Sequence, residues 1–289
     1  MLIKAGYTIS YDCPAPTPML MMLNVRPERA RDLLTPDTFR CDPAVPVRQY
    51  LDAFGNICSR VLAPAANITF HTEFVIRDSG APDPAFPAAE QHAIDELPNE
   101  VIGYLLPSRY CDLEFLSDLA WDQFGAAEPG WARVQAIADY AHDRIAFGYE
   151  HARSTRTAAE AHEERRGVCR DYAHLAITLC RCMNIPARYC TGYLGDIAVP
   201  PVDAPMDFSA WFQVWLGGEW RTFDARHNVP RVGRILMAVG RDAADVAITT
   251  TFGSAKLGQF RVVTDELSEA AQDDRLQLTG LQVRLGGRR

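Results

Sequence analysis

Apolar and polar positions alternate in short runs over the first quarter of the chain, and then the period changes. Up to about residue 78, segments such as "YTISYD", "MLMMLNV" and "ITFHTEFVIRD" are broken by "CPAPTP", "CDPAVP" and "DAFGN". Short alternating runs with Pro, Asp-Pro and Gly-Asn breaks predict a small antiparallel β domain over 1–78. Residues 79–100 are rich in Pro, Ala and acid and read as a connector. Beyond it, Trp131, Val134, Ile137, Ala138, Ala141 and Ile145 fall on one stripe, the pattern of a helix burying one face. Thr157 and Glu160 have the spacing of a capping box. These patterns bound a core at 101–265 and leave 266–289 as a polar C-terminal tail with one short strand and a basic end.

Within the core, "RRGVCRDYAHLAITLCRCMNIPARYC" carries the next signal. Gly167 breaks the chain; Ala173, Ala176, Ile177, Cys180 and Met183 then follow helical spacing; Pro186 ends the helix near Asn184. Cys169 therefore stands at the helix start, where free amides and the positive end of the dipole stabilise a thiolate. Arg165, Arg166 and Arg170 add positive charge. A thiolate attacks carbonyls, and the Cys169 amide is placed to donate to an oxyanion. The competing reading is a small buried hydrophobe, the usual fate of a free cysteine. Cys180, Cys182 and Cys190 read as inert mid-helix or strand thiols, and their spacing lacks the C-x-x-C pairing of a zinc site.

Further on, "DFSAWFQVWLGGEWRTFDARHN" predicts two strands about a Gly217-Gly218 turn, with Trp215 opposite Trp220, Gln213 opposite Thr222 and Trp211 opposite Asp224. Ala210, Phe212, Val214, Leu216 and Phe223 then share the apolar face. Asp224 lies diagonal to Ser209, at a Cβ separation of about 7–8 Å. That separation suits a carboxylate orienting an imidazole, the base a cysteine nucleophile requires. A serine hydroxyl is no base near neutral pH. Strand alternation sends His227 to the opposite face from Asp224, and only a turn after Asp224 returns it. His142, His151 and His162 precede Cys169, and His71 and His92 read as surface residues.

Composition narrows the function. The formal net charge of −8 argues against a nucleic-acid partner. The N-terminus lacks the apolar stretch of a signal peptide and no run of 18 apolar residues occurs, so a cytoplasmic chain without membrane contact is expected. With no signal peptide, the eight cysteines are read as thiols. No calcium loop, nucleotide motif or G-x-S-x-G elbow is present, so neither a cofactor nor serine hydrolysis is implied.

The order of "GVCRDYAHL", then "SAW" entering a strand, then "FDARHN" on the next, resembles the bacterial transglutaminase-like superfamily. "DAFGN", "LLPSRYC", "ADYAHDRIAFGYE", "TAAE" and the stretch 165–265 place the resemblance in its cysteine-protease subgroup with an N-terminal β domain. It implies an α+β fold: a papain-like core in which the helix carrying the cysteine packs on an antiparallel sheet, preceded by an antiparallel β domain. It implies Cys169 as nucleophile and Asp224 as the residue orienting the base. The family's histidine stands in a "HAW" or "HAY" context, and this chain has Ser209-Ala210-Trp211 there, with His227 as a substitute base. The expected function is thiol acyl transfer on a peptide or protein amide, as protease, amidase or transglutaminase. The alternative is a catalytically inactive protein of the same fold that binds peptide or a protein partner.

Overall fold

The alternating N-terminal runs form β1 (Leu2–Asp12), β2 (Thr17–Met21), β3 (Arg40–Asp42), β4 (Arg48–Leu51), β5 (Ile57–Ala63) and β6 (Asn67–Arg77). The coordinates are a computed structural model and describe residues 1–201 and 205–267. The helical stretch gives α1 (Asn99–Ile102), α2 (Ser117–Phe124), α3 (Trp131–Arg144) and α4 (Ala158–Glu164), with two-residue strands β7 (Ala146–Phe147) and β8 (Arg166–Gly167) around α4. Then come α5 (Cys169–Cys182), β9 (Ala187–Tyr193), β10 (Ser209–Leu216), β11 (Glu219–Phe223) and β12 (Ile235–Gly240). The last described strands are β13 (Thr249–Thr251) and β14 (Lys256–Glu266). The fold is α+β: α5 packs on an antiparallel sheet of order β11-β10-β9-β12, beside two antiparallel sheets of the β domain.

Those two sheets have orders β14-β1-β6-β3 and β13-β2-β5-β4. The core boundary expected at 265 therefore falls inside a strand of the β domain. β14 pairs with β1 from Ile3–Glu266 to Asp12–Lys256, and β13 pairs with β2. Val262 of β14 packs into the same apolar cluster as Ile3, Ala5 and Tyr7, so it buries its apolar face with strands from the other end of the chain. Of the C-terminal tail 266–289, everything after residue 267 lies outside the described residues.

The connector is laid along the core. Glu90 O accepts from Gly217 N (2.9 Å), His92 Nε2 accepts from Gly218 N (2.9 Å), and Gln91 Nε2 donates to Met183 O (2.9 Å). It clasps the hairpin turn. Gly217 and Gly218 have φ of 59° and 78°, the left-handed pair that a two-residue turn of this twist needs. The hairpin takes the expected register, from Leu216–Glu219 to Phe212–Phe223. Ala210, Phe212, Val214, Leu216 and Phe223 are buried against α5.

Every residue of α5 from Asp171 to Cys182 is buried, so the helix reaches the cleft as a fixed element. Its first turn is anchored by Asp171, which accepts from Val168 N (2.8 Å) and from Arg156 Nη1 (3.0 Å). Arg156 also donates to His151 O (2.6 Å) and Glu164 (3.0 Å). The Arg156 and Asp171 side chains are 3% and 0% exposed, so removing this guanidinium leaves the buried carboxylate with only the Val168 amide and the more distant Arg170, whose Nη2 lies 3.5 Å from Oδ1. Arg156→Met should accordingly lose about 3–5 kcal/mol of stability, read as a lowered urea midpoint. A loss under about 1 kcal/mol would show that the pair behaves like a surface ion pair and does not anchor α5.

Candidate active site

Cys169 opens α5 and is half-buried in the wall of a cleft of about 490 Å³. Ser209, at the first residue of β10, lines the same cleft, as do Arg226, His227, Tyr149 and Asp207. Burial pushes the Cys169 thiol up to about 11; the Arg226 guanidinium and a backbone hydrogen bond from Ala210 oppose this, while the charges of Asp207 and Asp224 add to it. The helix-start amides therefore do not create a standing thiolate at neutral pH, because desolvation outweighs them. The cysteine needs a base to take its proton.

The strand-parity expectation for His227 is overturned by the local backbone. β11 ends at Phe223, and Asp224 begins a turn closed by Asn228 N donating to Asp224 O (2.8 Å), with Asn228 at φ 52°. Asp224 Oδ1 accepts from the amides of Arg226 and His227, both at 3.0 Å. An Asp accepting from amides two and three positions on is a local device that reverses the chain. It brings the His227 ring back onto its own carboxylate: Nδ1 lies 2.9 Å from Asp224 Oδ2. An ionised carboxylate can only accept, so Nδ1 carries the proton and Nε2 of the neutral ring is the free basic nitrogen.

Asp224 is buried, with its side chain 3% exposed. Burial alone would raise its carboxyl; the Arg234 guanidinium, 2.7 Å from Oδ2, and then His227 outweigh burial and hold it well below the usual carboxylate range. The depressed value means that this pairing stabilises the fold at neutral pH and is lost only as the pH falls through it. Arg234 is fixed in turn by Asp83 of the connector, Nε to Oδ2 at 2.8 Å. His142 of α3 places Nδ1 at 3.1 and 3.0 Å from the carbonyls of Ala225 and Arg226. Carbonyls only accept, so this nitrogen donates and pins the turn from below. Arg226 lies over the Phe147 ring at 4.0 Å and hydrogen-bonds Tyr149.

Of the four predicted site residues, Cys169, Ser209 and His227 face one cleft, and Asp224 stands behind His227. Arg234, Asp83 and His142 were not among the candidates; they lie 10, 141 and 82 positions from Asp224 and no local pattern links them. His174 is fully buried, its ring stacked on Tyr110, with Nε2 accepting from Ala243 N (3.1 Å). Cys180, Cys182 and Cys190 are buried free thiols. Among the described residues, no helix is long and apolar enough to cross a membrane.

Residues 118–225 match the family model of the transglutaminase-like superfamily, a span that contains both Cys169 and Asp224. A crystal structure of a candidate cysteine protease from Cytophaga hutchinsonii is 29% identical, with a TM-score of 0.78, over 93% of this chain and 91% of that one. An uncharacterised protein of Mycobacterium leprae is 40% identical over 91 residues, which are 30% of this chain. That match spans 32% of the curated relative's length. The family match takes in the helix, the hairpin and its closing carboxylate, so residues 118–225 form a transglutaminase-like domain, and the solved likeness runs along nearly the whole chain.

Proposed function

We propose that the protein is a thiol acyl-transfer enzyme in which Cys169 is the nucleophile and His227, oriented by Asp224, is the base. The observation that carries this reading is the 2.9 Å hydrogen bond from His227 Nδ1 to Asp224 within the cleft that Cys169 lines. Nε2 of His227 takes the thiol proton as sulfur attacks the amide carbonyl, and returns it to the leaving amine. The thioester then passes its acyl group to water or to an amine. Amides at the start of α5 supply donors for the oxyanion. The substrate class is a peptide or protein amide, in keeping with the candidate cysteine protease that the chain resembles.

Two facts favour the second reading, a protein of this fold that binds peptide without turnover. Ser209 occupies the strand position where the family's histidine is expected, and the Cys169 thiol is pushed up to about 11.

Hydrolysis of p-nitrophenyl acetate separates the two. Wild-type protein should turn the ester over, Cys169→Ala should not, and His227→Asn should be slower by about 10² to 10⁴. Ser209→His added to His227→Asn should recover part of the rate, because that imidazole enters the same cleft. Equal rates for wild type and Cys169→Ala would leave the binding protein as the better reading.

The thiol itself has a pH signature. Alkylation of Cys169 by iodoacetamide, located by peptide mass spectrometry, should rise about tenfold per pH unit from 7 to 9 and show no plateau there. A thiol pushed up to about 11 stays protonated across that range. A plateau near neutrality would mean a preformed thiolate.

A further inference from the structure

Behind Asp224, on the face of the hairpin turned away from α5, lies a second groove of about 410 Å³ between the connector and the sheet. The chain carries a net charge of −8, yet this groove gathers Arg26, Arg29, Arg188, Arg231 and Arg234 against only Glu28, Asp78 and Asp83. Most of those guanidiniums are already occupied. Arg26 binds Glu28 at 2.7 Å and Asn56 at 2.6 Å, Arg29 binds Asp32 at 2.6 Å, and Arg234 bridges Asp83 and Asp224.

Arg188 differs. Its Nε and Nη2 both donate to one neutral acceptor, Gln213 Oε1, at 2.9 and 2.7 Å. Among the described residues no carboxylate lies within ion-pair distance of it. Its guanidinium sits 4.2 Å from the centre of the Trp220 ring. A cation–π contact contributes about 0.5–2 kcal/mol; the carboxylate whose charge acts on Arg188 is Glu28, which is itself paired with Arg26. A guanidinium has five N–H donors; two are directed at the Gln213 oxygen and another meets the Tyr104 hydroxyl, which leaves part of the fork for a further acceptor.

We propose that this groove is a binding site for a small organic anion whose oxyanion head group, phosphate or carboxylate, pairs with Arg188. The volume exceeds what a bare oxyanion fills and lies in the range of metabolite-sized pockets. Trp211, Leu236, Pro82 and Pro84 provide an apolar wall for the rest of the ligand. Thr222, which accepts from Gln213 Nε2 at 3.1 Å, adds a hydroxyl beside the head group. Cys169, Ser209 and His227 do not line this groove, so the inference does not require the acyl-transfer reading, although Arg231 borders both clefts and Arg234 also holds Asp224.

The test is calorimetric titration of the full chain with sodium phosphate and, separately, with citrate, each against sodium chloride at matched ionic strength. Saturable binding of phosphate alone identifies a phosphate head group, and of citrate alone a carboxylate. Arg188→Gln should weaken binding roughly ten- to a hundredfold, the effect of losing a charged hydrogen-bonding partner. Gln213→Glu gives Arg188 an internal counter-charge without removing it, so this variant should remain folded and lose the binding. Cys169→Ala should bind as wild type does. Absence of saturable binding beyond the chloride control, or a Gln213→Glu variant that binds as tightly as wild type, would overturn the proposal.

Discussion

A carboxylate buried at the end of a strand remains ionised only if donors and a cation meet it from every side, and Asp224 imposes that demand on its surroundings. Its Oδ1 takes two backbone amides, which shapes the turn. Its Oδ2 takes the His227 ring and the Arg234 guanidinium, which draws in the segment before β12. Through Arg234 the demand extends to Asp83 and so to the connector. The turn, the histidine and the packing of the connector are thus linked through one charge.

The two halves of the candidate site differ in how they are held. Cys169 is carried by a helix buried on every side from Asp171 onward, with a buried ion pair at its first turn. His227 is carried by a turn outside the regular ladder, gripped by Asp224 from within and by His142 below. Both supports are hydrogen-bonded and mostly desolvated, so little reorganisation is needed to keep thiol and imidazole facing one cleft. Ser209 keeps its place at the head of β10, where its carbonyl accepts from Thr191 Oγ1 at 3.1 Å.

What could be read along the chain followed the range of the interactions. The α5 helix, its stop near Asn184 (the last helical residue is Cys182), the Gly217-Gly218 turn and the pairing of Trp215 with Trp220 are written in spacings of a few residues, and the fold repeats them. The capping box at Thr157 and Glu160 is likewise local, and it forms. The position of His227 defeated the parity rule because that rule holds only while a strand continues, and the Asp224 side chain ends this one. The roles of Arg234, Asp83 and His142 rest on tertiary proximity alone. The pairing of β13 with β2 and of β14 with β1 is likewise not written locally, since a strand's partner is not encoded in its distance along the chain.

The pairing of β1 with β14 has a consequence for how the protein is made. Ile3 meets Glu266 and Asp12 meets Lys256, a separation of nearly the whole described chain. During synthesis β6 becomes available to β1 well before β14, so one edge of β1 has no partner strand until β14 follows some 250 residues later. An apolar strand with an unpaired edge is a template for association with other chains, and closure over so long a loop is slow. The nascent protein is therefore most vulnerable to self-association just before its last described strand is released.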